Sequence, residues 1–287
     1  MLGLLLATTA GAMVAVLYAP VVQQLVRVWL DDANYSHGFL VPVVSAMLVS
    51  RRRVAIAAQT GKGSPFGGAV LLGGLFLLVA GHAVGSVGSG RGGLFVMGIS
   101  LLPVGCGLVL LLFGVNVLKQ LAFPIAFLAF MVPLPVGLFA TLTLPLQLYA
   151  SNVTVIVLDL FGIPALREGN LIFLPAVTLG VEEACSGIRS LITLLAGTSA
   201  LGWLVLDRPI YRLLLIASAI PVAIATNAVR VTGTGMLAYL IGPEVAKGFF
   251  HDFSSWLMLL VASVILCAEV FLLERLDQRA RVARARP

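Results

Sequence analysis

Charge is scarce in this sequence. Of its 287 residues only 10% are charged and 60% are hydrophobic, and the mean hydropathy is +1.09, whereas soluble domains carry about 25% charged residues. This composition excludes a soluble globular protein and predicts an integral membrane protein built mostly of spanning helices. The net charge is +6, and its basic residues lie between the apolar runs, so we expect them to set the orientation of the protein in the membrane. The sequence has no face that combines aromatic and basic residues, so we expect no nucleic-acid partner.

Cysteine is scarce as well. The three cysteines, Cys106, Cys185 and Cys267, provide no disulfide framework. Cys106 and Cys267 lie inside apolar runs, which is typical of small core residues, and only Cys185 has charged neighbours. No cluster of His, Cys and Asp has the spacing of metal ligands. The sequence therefore predicts neither a metal nor a cofactor.

Long apolar runs predict an all-α polytopic membrane fold with about eight transmembrane helices. The first run lacks a preceding basic region, so we expect a retained span rather than a cleaved signal. The runs lie near 3–28, 38–50, 66–88, 94–113, 117–135, 188–206, 210–228 and 252–273.

Basic residues between the runs predict the orientation. With eight spans, all of the basic groups fall on one side, so both termini are expected in the cytoplasm, and the lipid bilayer is the expected surroundings of this multi-pass protein. These groups are Arg51 to Arg53, Lys62, Lys119, Arg208, Arg212 and the arginine-rich tail from Arg275.

The stretch 136–161 is apolar enough to span, but counting it would place the basic tail outside. We therefore predict an outer interfacial helix there, with Gln147, Ser151 and Thr154 on one face. Two short β-favouring runs, 171–174 and 177–181, predict a hairpin lid directly before Cys185. A single domain is expected, divided into N-terminal spans 1–135, the outer segment 136–187, later spans 188–273 and the tail 274–287.

Three reactive residue types are predicted at one membrane depth. Cys185 precedes the span 188–206, Arg230 ends the span 210–228, and His251 begins the last span. A helix N-terminus stabilises a thiolate, a histidine can deprotonate the thiol and protonate a leaving amine, and an arginine can hold a carboxylate or an oxyanion. Together they indicate acyl transfer on a peptide bond.

Four further residues are candidates for support or substrate binding. Ser186 is placed to cap the helix after the cysteine. Arg189, four residues after Cys185, supports the thiolate, binds substrate, or pairs with Glu182 or Glu183. Asn227 either orients Arg230, donates to an oxyanion, or packs.

These residues resemble the exosortase/archaeosortase family. The resemblance rests on the run from Glu183 to Ser190, on Asn227-x-x-Arg230, and on the later His251. The segments Tyr35-Ser36-His37-Gly38 and Arg167-Glu168-Gly169 are also similar to that family's pattern.

The resemblance implies a polytopic cysteine protease, a presumed transpeptidase of the bacterial cytoplasmic membrane with an outward-facing site. Cys185 would be the nucleophile, His251 the general base and acid, and Arg230 the third catalytic residue. The implied partners are exported proteins with a C-terminal tail made of a short motif such as Pro-Glu-Pro, a membrane helix and a basic cluster. Such proteins join surface or exopolysaccharide systems.

Two other interpretations remain open. A transporter or polysaccharide-export component would use Arg189, Arg230 and His251 as an anion path, although the sequence has no inverted repeat and no matched pair of broken helices. An inactive scaffold is the third interpretation.

Overall fold

A computed structural model describes residues 2–285 except Thr60, Ser89, Ala176, 182–187, Pro243 and 245–248, and for 2–7, 249–252 and 280–285 it describes the helical backbone alone. The described chain is almost entirely helical, with one small sheet, and divides into two compact units, Met1–Leu138 and Phe139–Pro287.

The first unit is built from six α-helices and two short 3₁₀ helices. Apolar composition favours each long helix, and side chains such as Val16, 76% exposed, are suited to lipid contact. The elements are α1 Leu2–Asp31, a 3₁₀ helix Ala33–Phe39, α2 Leu40–Arg51, α3 Arg53–Ala58, α4 Phe66–Val87, α5 Gly90–Phe113, α6 Val115–Phe127 and a second 3₁₀ helix Leu128–Met131.

Glycines bring α4 and α5 into backbone contact. Gly67, Gly74 and Gly81 recur every seven residues on one face of α4. A methyl group on Gly67 would collide with the backbone of Gly107 on α5, and one on Gly81 would collide with the backbone of Gly93. Small residues at such spacing let two membrane helices approach closely enough for extensive dispersion contact.

The segment Tyr35 to Gly38 lies in the first 3₁₀ helix. Its side chains contact the second 3₁₀ helix and the residues that follow it. Nε2 of His37 donates a hydrogen bond to the carbonyl of Phe130 at 3.1 Å. The phenol oxygen of Tyr35 accepts from the backbone N–H of Leu134 at 3.2 Å. Gly38 leaves room for the indole of Trp29. These residues hold the first unit together.

The second unit contains four helices and a three-stranded antiparallel sheet in the order β1-β2-β3. In β2 and β3 the central residue is buried and its neighbours are more exposed, which is the pattern of strands with one buried face. The elements are α7 Val136–Leu160, β1 Leu166–Glu168, β2 Leu171–Phe173, β3 Thr178–Gly180, α8 Ile188–Val205, α9 Pro209–Leu240 and α10 Phe249–Ala285.

The sheet packs on the C-terminal halves of α7 and α9. Its buried residues Ile172 and Leu179 form one apolar cluster with Leu158 of α7 and Val231 of α9. Gly235 of α9 lies directly under β3, because a methyl group there would be 3.4 Å from Leu179. The predicted hairpin is confirmed as β2 and β3, whereas β1 was not predicted.

The opposite end of this unit is held by an ion pair. Helices α8, α9 and α10 share an apolar core, and below it Arg208 before α9 lies 3.0 Å from Asp277 of α10, whose side chain is 2% exposed. The backbone N–H of Asp207 also donates to Asp277. The start of the predicted basic tail is therefore helical and packed.

Seven of the described helices are long and apolar enough to cross a membrane, which confirms the all-α polytopic fold. The predicted span 38–50 is the 12-residue helix α2, shorter than the about 20 residues that a span needs. Helix α7 is among the seven. Its polar residues Gln147, Ser151 and Thr154 are buried inside the unit, so this polar face of α7 is covered by protein. The interfacial placement stays a prediction.

Removing the side chain at the centre of the sheet should destabilise the second unit. Ile172 is fully buried, so Ile172→Ala leaves a cavity and should lower the free energy of unfolding by about 2–5 kcal/mol. Thermal unfolding in detergent measures this loss. Leu171→Ala is the matched control, since Leu171 is 40% exposed and should cost less than about 1 kcal/mol. Equal losses for the two variants would contradict this packing.

Acidification should destabilise the first unit through His37. Burial lowers the pKa of His37 below its usual 6.5, against the opposing effect of backbone groups of Phe130 and Asn34. The unfolded chain therefore binds the extra proton first. The contribution of His37 to stability is complete above pH 6.5 and is lost as the pH falls from there through the lowered pKa.

Thermal midpoints of the protein and of His37→Gln, measured from about pH 8 to about pH 5, test this sign. The variant should lose less stability on acidification. A variant whose midpoint falls as steeply as that of the parent protein would show that other groups cause the acid sensitivity.

Candidate functional site

Arg230 lies inside helix α9, not at its end. The apolar run predicts a span over 210–228 that Arg230 ends. Helix α9 instead continues ten residues beyond Arg230 to Leu240. The sheet explains the extension, since Val231 and Ala238 of this last part pack in the cluster beneath it.

The guanidinium of Arg230 is buried and bonded to two side chains. The residue is only 7% exposed. Nη2 donates to Oδ1 of Asn227 at 2.8 Å, one turn earlier on α9. Nη1 donates to Oγ of Ser255 on α10 at 2.7 Å. The hydrogen bond from Arg230 is compatible with the predicted role of Asn227 in orienting it.

The contact with Ser255 connects Arg230 to the beginning of α10. His251 is the third residue of that helix, and its backbone is the part that the structure describes. Ser255 follows His251 by four residues, so the two positions lie one turn apart on one face of the helix. Ser255 was not predicted from the sequence, because its contact with Arg230 depends on how two different helices lie against each other.

The beginning of α8 lies beside the same part of α9. Helix α8 begins at Ile188, so Arg189 is in its first turn, and its carbonyl accepts from Thr193 at 2.9 Å. Leu191 of that turn and Asn227 line one small pocket. Cys185, Ser186 and Glu183 lie outside the described residues. Chain connectivity places Cys185 three residues before the first residue of α8.

A long apolar groove runs between α7 and α9 next to this region. Its volume is about 920 Å³. Gly233 has open space around it, and the helix face that it belongs to also carries Ala225 and Thr232. The full lining is Tyr149, Val153, Val157, Pro221, Ile224, Ala225, Ala228, Val229, Thr232, Gly233 and Met236.

The segment Arg167 to Gly169 contains the end of β1 and the first residue of the turn to β2. Nη1 of Arg167 donates to the carbonyls of Leu148 at 3.4 Å and Gly169 at 3.3 Å. Gly169 has φ +62°, a conformation that glycine adopts at little cost. These residues position the sheet that precedes the cysteine.

The arrangement provides a cation at a defined position in apolar surroundings. A guanidinium fixed by two hydrogen bonds can stabilise an anion without reorganising. Within the part of the chain that the structure describes, no group of three His, Cys, Asp or Glu side chains could hold a metal ion.

Comparison with known proteins identifies the family. The family model described as transmembrane exosortase matches residues 29–268, which is most of the chain. No curated protein and no solved structure matches this chain. The matched range contains all of the candidate site residues and both flanking segments, Tyr35 to Gly38 and Arg167 to Gly169. The chain therefore belongs to the transmembrane exosortase family.

Proposed function

We propose that the protein is a membrane-embedded cysteine endopeptidase and transpeptidase that cleaves C-terminal sorting tails of exported proteins. Its nucleophile is Cys185, its general base and acid is His251, and its anion-binding residue is Arg230. The observation that carries this proposal is the buried guanidinium of Arg230. It is hydrogen-bonded to Ser255, one turn after His251, and α8, which begins three residues after Cys185, starts beside the same part of α9.

The reaction needs two acyl-transfer steps. His251 takes the thiol proton, and Sγ of Cys185 attacks the scissile carbonyl carbon to form a tetrahedral oxyanion. The C–N bond breaks as His251 gives that proton to the leaving amine, and a thioester remains. An acceptor amine or water then attacks the thioester carbon, its proton passes to His251, and Cys185 is released.

Arg230 stabilises the charge that develops in these steps. The negative oxygen of each tetrahedral intermediate is matched by a guanidinium whose position Asn227 and Ser255 fix, and preorganised donors of this kind lower the barrier most in surroundings without bulk water. Arg189 and Ser186, in and before the first turn of α8, stabilise the thiolate together with the helix N-terminus.

The groove between α7 and α9 supports a substrate with a membrane helix. It is apolar along its length, and small residues such as Ala228 and Gly233 line it, which favours close contact with another helix. Thr232, two residues after Arg230 on α9, is among its lining residues. A tail helix in this groove would bring the peptide that precedes it to the site.

We further propose that the site faces outward from the cytoplasmic membrane of a bacterium, with both termini inside. Arg208 and Arg230 lie 22 residues apart on α9, which is about 33 Å along the helix, close to the thickness of the hydrocarbon core. Arg208 and the arginine-rich end of α10 mark one side, which the positive-inside rule makes cytoplasmic. Arg230 then lies near the other side.

Replacing the thiol should abolish processing. In cells that express a substrate with a sorting tail, Cys185→Ala should leave the tail uncut, because no other group forms the thioester, while the protein still accumulates in the membrane. Mass spectrometry of the substrate's C-terminus measures both the cut site and any attached group. Undiminished cleavage by a well-expressed Cys185→Ala variant would contradict the mechanism and favour a transport role.

Arg230→Lys should lower kcat by about 100-fold or more, the size of effect seen when one oxyanion donor is removed. Lysine keeps the charge but cannot contact Asn227 and Ser255 in the same planar geometry. Single-turnover cleavage with purified protein measures the loss. Arg208→Lys is the matched control at the other end of α9, where the ion pair with Asp277 should survive and kcat should change little. Similar losses in both variants would indicate a general effect of arginine on the fold.

A further inference from the structure

The outer edge of β3 presents main-chain hydrogen-bonding groups away from the sheet. Leu174 and Val177 exchange both of their backbone hydrogen bonds across the turn, and the N–H of Val181 donates to Asn170 at 2.9 Å. In an antiparallel pair every second residue makes these bonds. The groups of Val177, Leu179 and Val181 therefore point toward β2, and those of Thr178 and Gly180 point outward.

The side chains of β3 alternate between the two faces of the sheet. Thr178 and Gly180 are exposed, whereas Leu179 between them is 8% exposed. β3 is an outer strand of the sheet, and among the described residues no strand pairs with its other side. Two outward residues separated by one inward residue have the spacing that a further strand requires.

This edge lies close to the candidate site. Leu179 packs against Gly235 of α9, which is five residues, or about 7.5 Å along the helix, from Arg230. The chain leaves the sheet at Val181 and reaches Cys185 four residues later. The edge of β1 is different, because it offers only Arg167 as an outward residue and leads away from the cysteine.

We propose that the edge of β3 binds the extended peptide of the substrate next to the scissile bond as a fourth strand. The occupant is the segment of the substrate polypeptide that is to be cut, and the inference rests on the proposed peptidase function. Main-chain bonds to Thr178 and Gly180 hold the peptide extended and about 4.8 Å from β3. Such pairing supplies affinity that does not depend on side chains.

The first experiment changes the enzyme edge. Thr178→Pro removes the outward N–H without removing a bond to β2, and proline is tolerated at edge positions of this kind. It should raise KM or lower kcat/KM by about 10-fold, as the loss of one hydrogen bond and the bulk of the ring predict. Thr178→Ala, which keeps the N–H, should stay within about twofold. Equal kinetics of the two variants, with equal membrane accumulation, would overturn the proposal.

The second experiment leaves the enzyme unchanged, so that folding does not affect the result. A substrate series carries a single backbone N-methyl group at successive positions before the scissile bond. Pairing as a strand predicts a period of two, with cleavage lost at alternate positions only. A uniform or flat response would overturn the edge proposal while loss of cleavage in Cys185→Ala still supports the peptidase. Cleavage that Cys185→Ala does not affect would overturn both.

Discussion

The buried guanidinium of Arg230 is the interaction on which the arrangement of the second unit depends. A charge in apolar surroundings is costly unless hydrogen bonds compensate for it. Asn227 provides one partner from the same helix and Ser255 provides another from α10. Because the second bond crosses between helices, it fixes the depth of the beginning of α10 relative to α9. The position of His251 follows from that depth, as does the shape of the site in the proposed function.

The sheet anchors the chain before Cys185, as the contact of Ser255 with Arg230 anchors the helix turn that follows His251. Ile172 and Leu179 anchor it on α7 and α9, so the chain enters the segment of Cys185 from a fixed starting point. Helix α8 fixes the other end of that segment at Ile188. Three elements thus converge on the part of α9 that carries Arg230, while the pair of Arg208 and Asp277 holds the far end.

Much of the fold follows from apolar run length, because a membrane requires helices of about 20 residues. Six of the predicted spans, and the hairpin of β2 and β3, lie where the patterns indicated. The span predicted over 210–228 continues as helix α9 to Leu240, because Val231 and Ala238 pack beneath the sheet beyond the end of the apolar run. The partnership of Arg230 and Asn227 was a considered alternative from their spacing. Ser255 could not be predicted, since its contact with Arg230, 25 residues earlier in the chain, depends on the relative depth of α9 and α10.

The glycine contacts of α4 and α5 have a mechanical consequence for the first unit. Gly67, Gly74 and Gly81 face α5 at intervals of two turns, and the backbone of α5 occupies the space that side chains would fill. Sliding one helix along the other by a single residue would place a side chain against that backbone. The close contact of the two backbones therefore opposes sliding of α4 along α5, whereas the other helices of this unit lack such a series of glycine contacts among the described residues.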